Sequence, residues 1–239
     1  MSVPLQTWSI VVLCYNEAAT IKKVIANVES TLKQIAQDYE IVVVNDGSKD
    51  NSAKIVSAIA AHNPRVKFIN QVHNMGIGPS LHNGYSNASL ENVCFVPGDG
   101  QFDLDELVPH MNVNPKEIIS FYRVENTSYS LFRNVLSLAN RMVNKVLIGI
   151  NMHDVNWVKI YKNDGLKSLD LRIKSSLVES EICAKMLLEG YTIKEYKSKY
   201  LDREGGKSKG ASLKIVVQAA TEVLKLVGEM RRYRKSMQR

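Results

Sequence analysis

A chain of 239 residues suits one large α/β domain or two small ones, and its 45% apolar and 23% charged residues exclude a disordered, collagenous or coiled-coil protein. The net charge of +7 is uneven: Arg203, Lys207, Lys209, Lys214, Lys225, Arg231, Arg232, Arg234, Lys235 and Arg239 crowd the last quarter, so that segment seeks anions. Cys14, Cys94 and Cys183 are odd in number and lack metal-ligand spacing, which argues against a disulfide scaffold or zinc site and for a reducing compartment.

Met1 to Ser9 carries neither a basic n-region nor an apolar h-region, and no apolar run approaches the roughly 18 residues of a spanning helix. The expectation is a cytoplasmic protein, soluble or peripheral at the cytoplasmic face of a membrane. Ser9 to Leu13 reads as a short buried strand, and Asn16 to Thr20 opens a helix with Ile21, Val24, Ile25 and Val28 on one face. The unit repeats: strand Tyr39 to Val44, loop Asp46 to Asp50, a helix through Ile55, Val56 and Ile59, and strand Val66 to Ile69. This alternation predicts a mostly parallel, doubly wound α/β sheet with helices on both faces.

After Asn74-Met75-Gly76-Ile77-Gly78, a helix from about Pro79 to Ala88 leads to strand Val93 to Val96. Further on, the pattern gives a strand near Ile118 to Arg123, a helix Tyr129 to Ile148, a strand near Val155 to Tyr161 and a helix Ser176 to Glu189. Residues 1–210 are expected to form one domain, with a nucleotide-binding half over about 1–110 and an acceptor half over about 111–210. Residues 211–239 are expected to form a basic amphipathic helix and tail, in which Leu213 to Val227 runs into Arg231-Arg232-Tyr233-Arg234-Lys235. Two readings of that helix stand: it lies beside anionic headgroups, or it docks on the core.

Two acidic loops, each following an apolar run, carry the chemistry: Asn45-Asp46-Gly47-Ser48 and Gly98-Asp99-Gly100-Gln101. In an open α/β sheet ligands bind beyond the carboxyl ends of the strands, where two acids can hold a base and a metal-bound diphosphate. Asp99, Gln101, Asp103 and Asp105 mimic the start of a calcium loop, but Leu104 and His110 replace its glycine and final glutamate, so Asp103 to Glu106 reads as a helix start. His62, His73, His82, His110 and His153 show no ligand spacing and receive no role.

These loops, with Val12-Leu13-Cys14-Tyr15-Asn16-Glu17, Asn74, Gly76, Gly78, Gly84, Arg203 and Gly206-Lys207-Ser208-Lys209, make residues 7 to 210 resemble the inverting family 2 glycosyltransferases of GT-A fold. The dolichyl- and polyprenyl-phosphate sugar transferases are the nearest pattern. The resemblance implies that Cys14, Tyr15, Asn16, Glu17, Asp46, Gly76 and Asp99 bind the nucleotide. It implies that Asp99 and Gln101 hold Mg2+ or Mn2+ on the diphosphate, although Pro97 stands where the family has its first acid. It implies further that Arg123, Arg133, Ser137, Arg203, Lys207 and Ser208 hold phosphate groups, and that Asp99, Asp154, Arg123 and Arg133 act in the reaction.

The residues also admit plainer readings. Glu17 suits the first turn of a helix, where an acid contributes ~0.3 to 1 kcal/mol; Asp46 suits a turn that bonds its own backbone. Glu181 matches the acid of the family's Glu-Leu-Leu helix and equally a solvated or capping glutamate. Lys159 lies near the end of a segment opened by Asp154, where Trp157 brings bulk in place of small residues.

The expected activity is transfer of one sugar from a UDP- or GDP-sugar to a polyprenyl or dolichyl phosphate, with inversion. Peripheral membrane contact or a membrane partner subunit is expected, and no nucleic acid. The rivals are a family 2 enzyme acting on a saccharide hydroxyl, for which Asp154 or Glu181 would serve as base, and a catalytically silent nucleotide-sugar-binding scaffold.

Overall fold

The computed structural model describes residues 5–123, 141–142, 144–202 and 213–238. Seven strands form one sheet in the order β3-β2-β1-β4-β6-β5-β7. They are β1 (Thr7–Cys14), β2 (Asp38–Asn45), β3 (Val66–Asn70), β4 (Asn92–Pro97), β5 (Glu117–Arg123), β6 (Lys159–Lys162) and β7 (Thr192–Ser198). β6 runs antiparallel to β4 and β5, and every other pairing is parallel. The strands β1, β2, β4, β5 and β7 therefore all end on the same edge.

The core has two faces because β1, β2 and β4 are buried on each side, as apolar runs without alternation require. On one face Trp8, Ile10, Val12 and Cys14 pack with helix α1 (Ile21–Ile35) and with α2 (Ser52–His62). On the other, Val11, Val42 and Val44 pack with α3 (Ile77–Asn87), and the short α4 (Asn163–Lys167) and α5 (Val178–Leu188) extend the layer. α1 contributes Val24, Ile25, Val28, Leu32 and Ile35, each fully buried side chain worth roughly 1.5–3 kcal/mol. A third cluster joins Cys183 and Leu177 to Leu226 and Met230 of helix α6 (Leu213–Met237), so α6 docks on the body through those side chains.

The expected strand at 155–161 is shorter and later, at Lys159–Lys162, because residues 155–157 form a turn. Asp103 to Glu106 does begin a helical turn, of 3-10 type over Leu104–His110, and Asp103 caps it by accepting from the Asp105 N–H. The strand β7 was invisible in the sequence pattern: its Lys194, Glu195 and Lys197 suit a sheet edge, where charge discourages further pairing. Most of the helix expected over Tyr129 to Ile148 lies outside the described residues; its end, Asn144–Ile148, is a π-helical turn.

Candidate active site

The chain leaves β1 towards β2 on one side and later enters β4 on the other, so the strand order reverses between β1 and β4. Such a switch point opens a crevice at the carboxyl ends of the strands. Cys14 pairs with Asn45, and Leu13 with Pro97, which brings the loops after β1, β2 and β4 to one place. Both acidic loops foreseen in the sequence therefore meet at one edge.

The loops after β1 and β2 are joined bond by bond. The Asp46 N–H donates to the Cys14 carbonyl (2.8 Å). The Asn16 N–H donates to Ser48 Oγ (2.9 Å), while Asn16 Oδ1 accepts from the Lys49 N–H (2.7 Å). The Glu17 N–H donates to Ser52 Oγ (2.9 Å), and the Ala18 N–H to Asp50 (3.0 Å). Asn16 sits in the left-handed region with φ 58°, which asparagine tolerates far better than a branched residue. The Glu17 carbonyl accepts from the Thr20 and Ile21 N–H groups and so starts α1.

Burial raises the Cys14 thiol to about 11 against partial offset by the Ser52 hydroxyl, so it stays protonated at neutral pH. Its contribution is its backbone and its volume. For Asp50, burial acts to raise the carboxyl, but hydrogen bonds from Ser52 and Ala18 outweigh it and hold it below the usual range.

Asp46 is buried and holds the loop ahead of α3. Its carboxylate accepts from the Met75 N–H (2.7 Å), the Gly76 N–H (3.0 Å) and Asn74 Nδ2 (2.9 Å). Gly47 permits this closure: at φ +63° it lies under the 73–74 backbone, and a Cβ there would be 2.3 Å from the His73 carbonyl carbon. The Asp46 carboxylate thus bonds a neighbouring loop, while its own turn is closed by Asn45, whose Oδ1 accepts from the Ser48 N–H (3.4 Å).

The second acidic loop is tied to β1, to Thr20 ahead of α1 and to Tyr200 beyond β7. The Gly98 N–H donates to the Leu13 carbonyl and its own carbonyl accepts from Thr20 Oγ1 (2.8 Å). Asp99 Oδ1 accepts from the Gln101 N–H (3.1 Å), a turn that fixes the carboxylate. Gln101 Nε2 donates to the Tyr200 hydroxyl (2.6 Å), so only its amide oxygen is available to a cation.

Tyr200 connects this loop to Arg123 at the end of β5. The Arg123 guanidinium lies 4.6 Å from the Trp157 ring centroid and 5.8 Å from that of Tyr200, and its Nε donates to Asp154 (2.7 Å). Asp154 also accepts from the Asn156 N–H. Trp157 is buried, donates to Ser198 Oγ (3.1 Å) and packs edge-on against Phe102, so its bulk forms a floor beneath Arg123. Stacking and ion pairing together orient a planar cation towards the strand ends.

The matching family model is Glycosyl transferase family 2, aligned with residues 9–168. The chain belongs to glycosyl transferase family 2. Among the curated relatives of this family 2 chain is a dolichyl-phosphate beta-glucosyltransferase of Trichomonas vaginalis, 37% identical over 101 residues, 40% of this chain and 30% of the relative. An undecaprenyl-phosphate 4-deoxy-4-formamido-L-arabinose transferase of Yersinia pestis is 29% identical over 148 residues, 60% of this chain and 44% of the relative. The chain thus spans less than half the length of these relatives. A crystal structure of glucosyl-3-phosphoglycerate synthase from Mycobacterium tuberculosis with Mn2+, UDP-glucose and phosphoglyceric acid superposes with a TM-score of 0.65 at 17% identity. That match covers 93% of this chain and 80% of the other, and establishes the GT-A fold.

Of the residues expected in the site of this family 2 chain, Arg133, Ser137, Arg203, Lys207 and Ser208 lie outside the described residues. Lys159 is away from the edge: it is fully buried and pairs with Glu179 (3.0 Å), whose carboxylate also accepts from Tyr161 (2.6 Å) and Tyr85 (2.8 Å). Glu181 is buried and caps backbone, accepting from the Arg172 and Ile173 N–H groups. Two of the unassigned histidines pack on aromatic rings: His153 stacks on Tyr122 and bonds Glu195, while His110 packs on Phe121 and Tyr196, burial lowering its pKa.

Sequence reasoning missed Tyr200 and the tying role of Ser48, Asp50 and Ser52. An Asp-Asn-Ser run before a helix is a capping signal that could have marked the last two; nothing local marks Tyr200. Among the described residues no group of three His, Cys, Asp or Glu could hold a metal by itself. One carboxylate, Asp99, suits Mg2+ or Mn2+ carried largely by a diphosphate, because Mg2+ is commonly bound through one or two carboxylates plus substrate phosphates.

Proposed function

We propose that the protein transfers one sugar from a UDP- or GDP-sugar to a polyprenyl or dolichyl phosphate, with inversion at the anomeric carbon. The observation that carries this reading is the common edge: the Asp46 and Asp99 loops at the switch point and Arg123 at the end of β5, joined through Gln101 and Tyr200. Asp46, with Tyr15, Asn16, Glu17 and Gly76, binds the nucleoside end of the donor, and Asp99 faces the diphosphate. A divalent cation bound there would offset the charge that builds on the leaving diphosphate.

An oxygen of the acceptor phosphate attacks the anomeric carbon from the face opposite the diphosphate. The new carbon–oxygen bond forms as the old one breaks, and the electron pair leaves with UDP or GDP. Arg123 binds the incoming phosphate, with Arg133, Ser137, Arg203, Lys207 and Ser208 as further ligands to it or to the diphosphate. An anionic phosphate needs no strong general base. This agrees with Asp154 being engaged with Arg123 and the Asn156 N–H, where it positions the arginine. The related transferases named for dolichyl- and undecaprenyl-phosphate support the lipid acceptor.

No helix among the described residues is long and apolar enough to cross a membrane. We infer that a lipid substrate is reached through a peripheral contact or a membrane partner subunit at the cytoplasmic face, with the basic 211–239 segment as the region of approach. The test is release of UDP or GDP from a panel of nucleotide sugars, with and without a short polyprenyl phosphate and Mg2+ or Mn2+. Release that needs the lipid phosphate supports the reading. Turnover only with a saccharide acceptor, or tight binding without turnover, contradicts it in favour of a hydroxyl-acceptor enzyme or a silent scaffold.

A further inference from the structure

Helix α5 holds α3, the helix that follows the Asp46-bound loop, at both ends. At the far end the Tyr85 hydroxyl donates to Glu179 (2.8 Å). At the near end the 172–175 segment lies directly on the first turn of α3. A Cβ on Gly78 would be 2.5 Å from the Lys174 carbonyl group and from the Ser175 carbonyl oxygen, and a His82 ring nitrogen bonds the Ile173 carbonyl (2.8 Å). That segment has its shape from Glu181, whose carboxylate accepts from the Arg172 N–H (3.0 and 3.1 Å) and the Ile173 N–H (2.8 Å).

Glu181 is in turn bound to α6. Lys185, fully buried, donates to Glu181 (2.7 Å), to the Asp170 carbonyl and to Glu229 of α6 (3.1 Å). Its ammonium lies 4.9 Å from the Tyr233 ring centroid, also on α6. Arg232 completes the set at 3.0 Å from Glu229. The α6 contribution cannot be lost quietly: a buried ammonium deprived of a carboxylate must find another partner or draw in water, and either change moves the neighbouring Asp170 and Glu181.

We propose that Glu181, Lys185 and Glu229 are positioning residues for the nucleotide site, through which docking of the C-terminal helix holds the 172–175 segment and the 74–78 loop in place. Anything that lifts α6 from the body, a lipid surface or a partner chain, would then weaken nucleotide binding without touching a nucleotide ligand. The inference rests on the reading that the 74–78 loop borders the nucleotide.

The test uses the full chain, wild type against Glu229→Gln and Lys185→Met, with Ile35→Val at the far end of α1 as a stability control. Two quantities are read well below the melting temperature: the affinity for UDP and for GDP by calorimetry, and amide exchange across residues 74–78 without nucleotide. Expected for both α6-contact variants is nucleotide binding weakened roughly three- to tenfold, and faster exchange at 74–78, with neither change in Ile35→Val. Should Lys185→Met not fold, the milder Glu229→Gln decides. Unchanged affinity and exchange in Glu229→Gln overturn the inference. If wild type binds neither nucleotide, the functional reading fails, and exchange at 74–78 alone still decides whether α6 holds that loop.

Discussion

The two halves of the sheet are held by different chemistry. Around β1, β2 and β4 the loops are joined by backbone groups and short polar side chains: Asn16 with Ser48 and Lys49, Glu17 with Ser52, Asp46 with Met75 and Gly76. Around β5, β6 and α5 the ties are buried charges: Lys159 with Glu179, Lys185 with Glu181 and Glu229. The first kind sets geometry at modest energy per bond and shapes a binding crevice. The second kind tolerates no partial loss, because removing one partner strands the other in a low-dielectric interior.

This contrast predicts that the largest loss of stability and the largest loss of activity fall at different residues. Lys159→Met leaves Glu179 without its ammonium partner and is expected to cost about 3–5 kcal/mol, the largest stability effect of the set, read as a fall in the denaturant midpoint. Asp99→Asn removes the acid proposed to face the diphosphate and is expected to lower kcat by on the order of 100-fold or more, while the melting temperature barely moves. A Lys159 variant of full stability, or an Asp99 variant of full activity, would show that the two halves are not held and used in these different ways.

Smaller changes sharpen it. Ser48→Ala removes the acceptor for the Asn16 N–H and is expected to cost about 0.5–1.5 kcal/mol and to raise the donor KM more than it lowers kcat. The smallest effect is a pH dependence at Glu40, at the opposite edge of the sheet. Burial acts to raise its carboxyl, but Lys67, Ser9 and Ser89 outweigh it, so the folded value lies below 4.5. A depressed folded pKa gives stability that is full above the unfolded value and is lost as pH falls through the folded one. The stability difference between wild type and Glu40→Gln should therefore be constant at neutral pH and shrink below about pH 4.5, measured by denaturation across that range.

The half around β1, β2 and β4 was legible in the sequence because its signals are local. Buried strands such as Ile41 to Val44 are unbroken apolar runs, and Asn-Asp-Gly-Ser or Gly-Asp-Gly-Gln at their ends are turn chemistry within a few residues. The other half hides its logic in distant pairs. Lys159 meets Glu179 across 20 positions and Lys185 meets Glu229 across 44, and no local pattern in the sequence joins either pair. β7 was missed for the same reason, since Lys194-Glu195-Tyr196-Lys197 has the composition of an exposed segment and becomes a strand only by pairing with β5. Trp157, read as bulk in an acceptor pocket, is a buried floor for Arg123, which only the fold reveals.

In the proposed function one edge of the sheet holds the donor through Asp46 and Asp99 and an acceptor phosphate through Arg123. The most direct measurement is steady-state kinetics of Arg123→Lys with a nucleotide sugar and a short polyprenyl phosphate, each varied at saturating levels of the other. Loss of the planar, doubly donating head at a retained charge is expected to raise the KM for the lipid phosphate roughly tenfold or more with the donor KM unchanged. A raised donor KM with an unaltered lipid-phosphate KM would place Arg123 on the donor and rule out its role in acceptor binding.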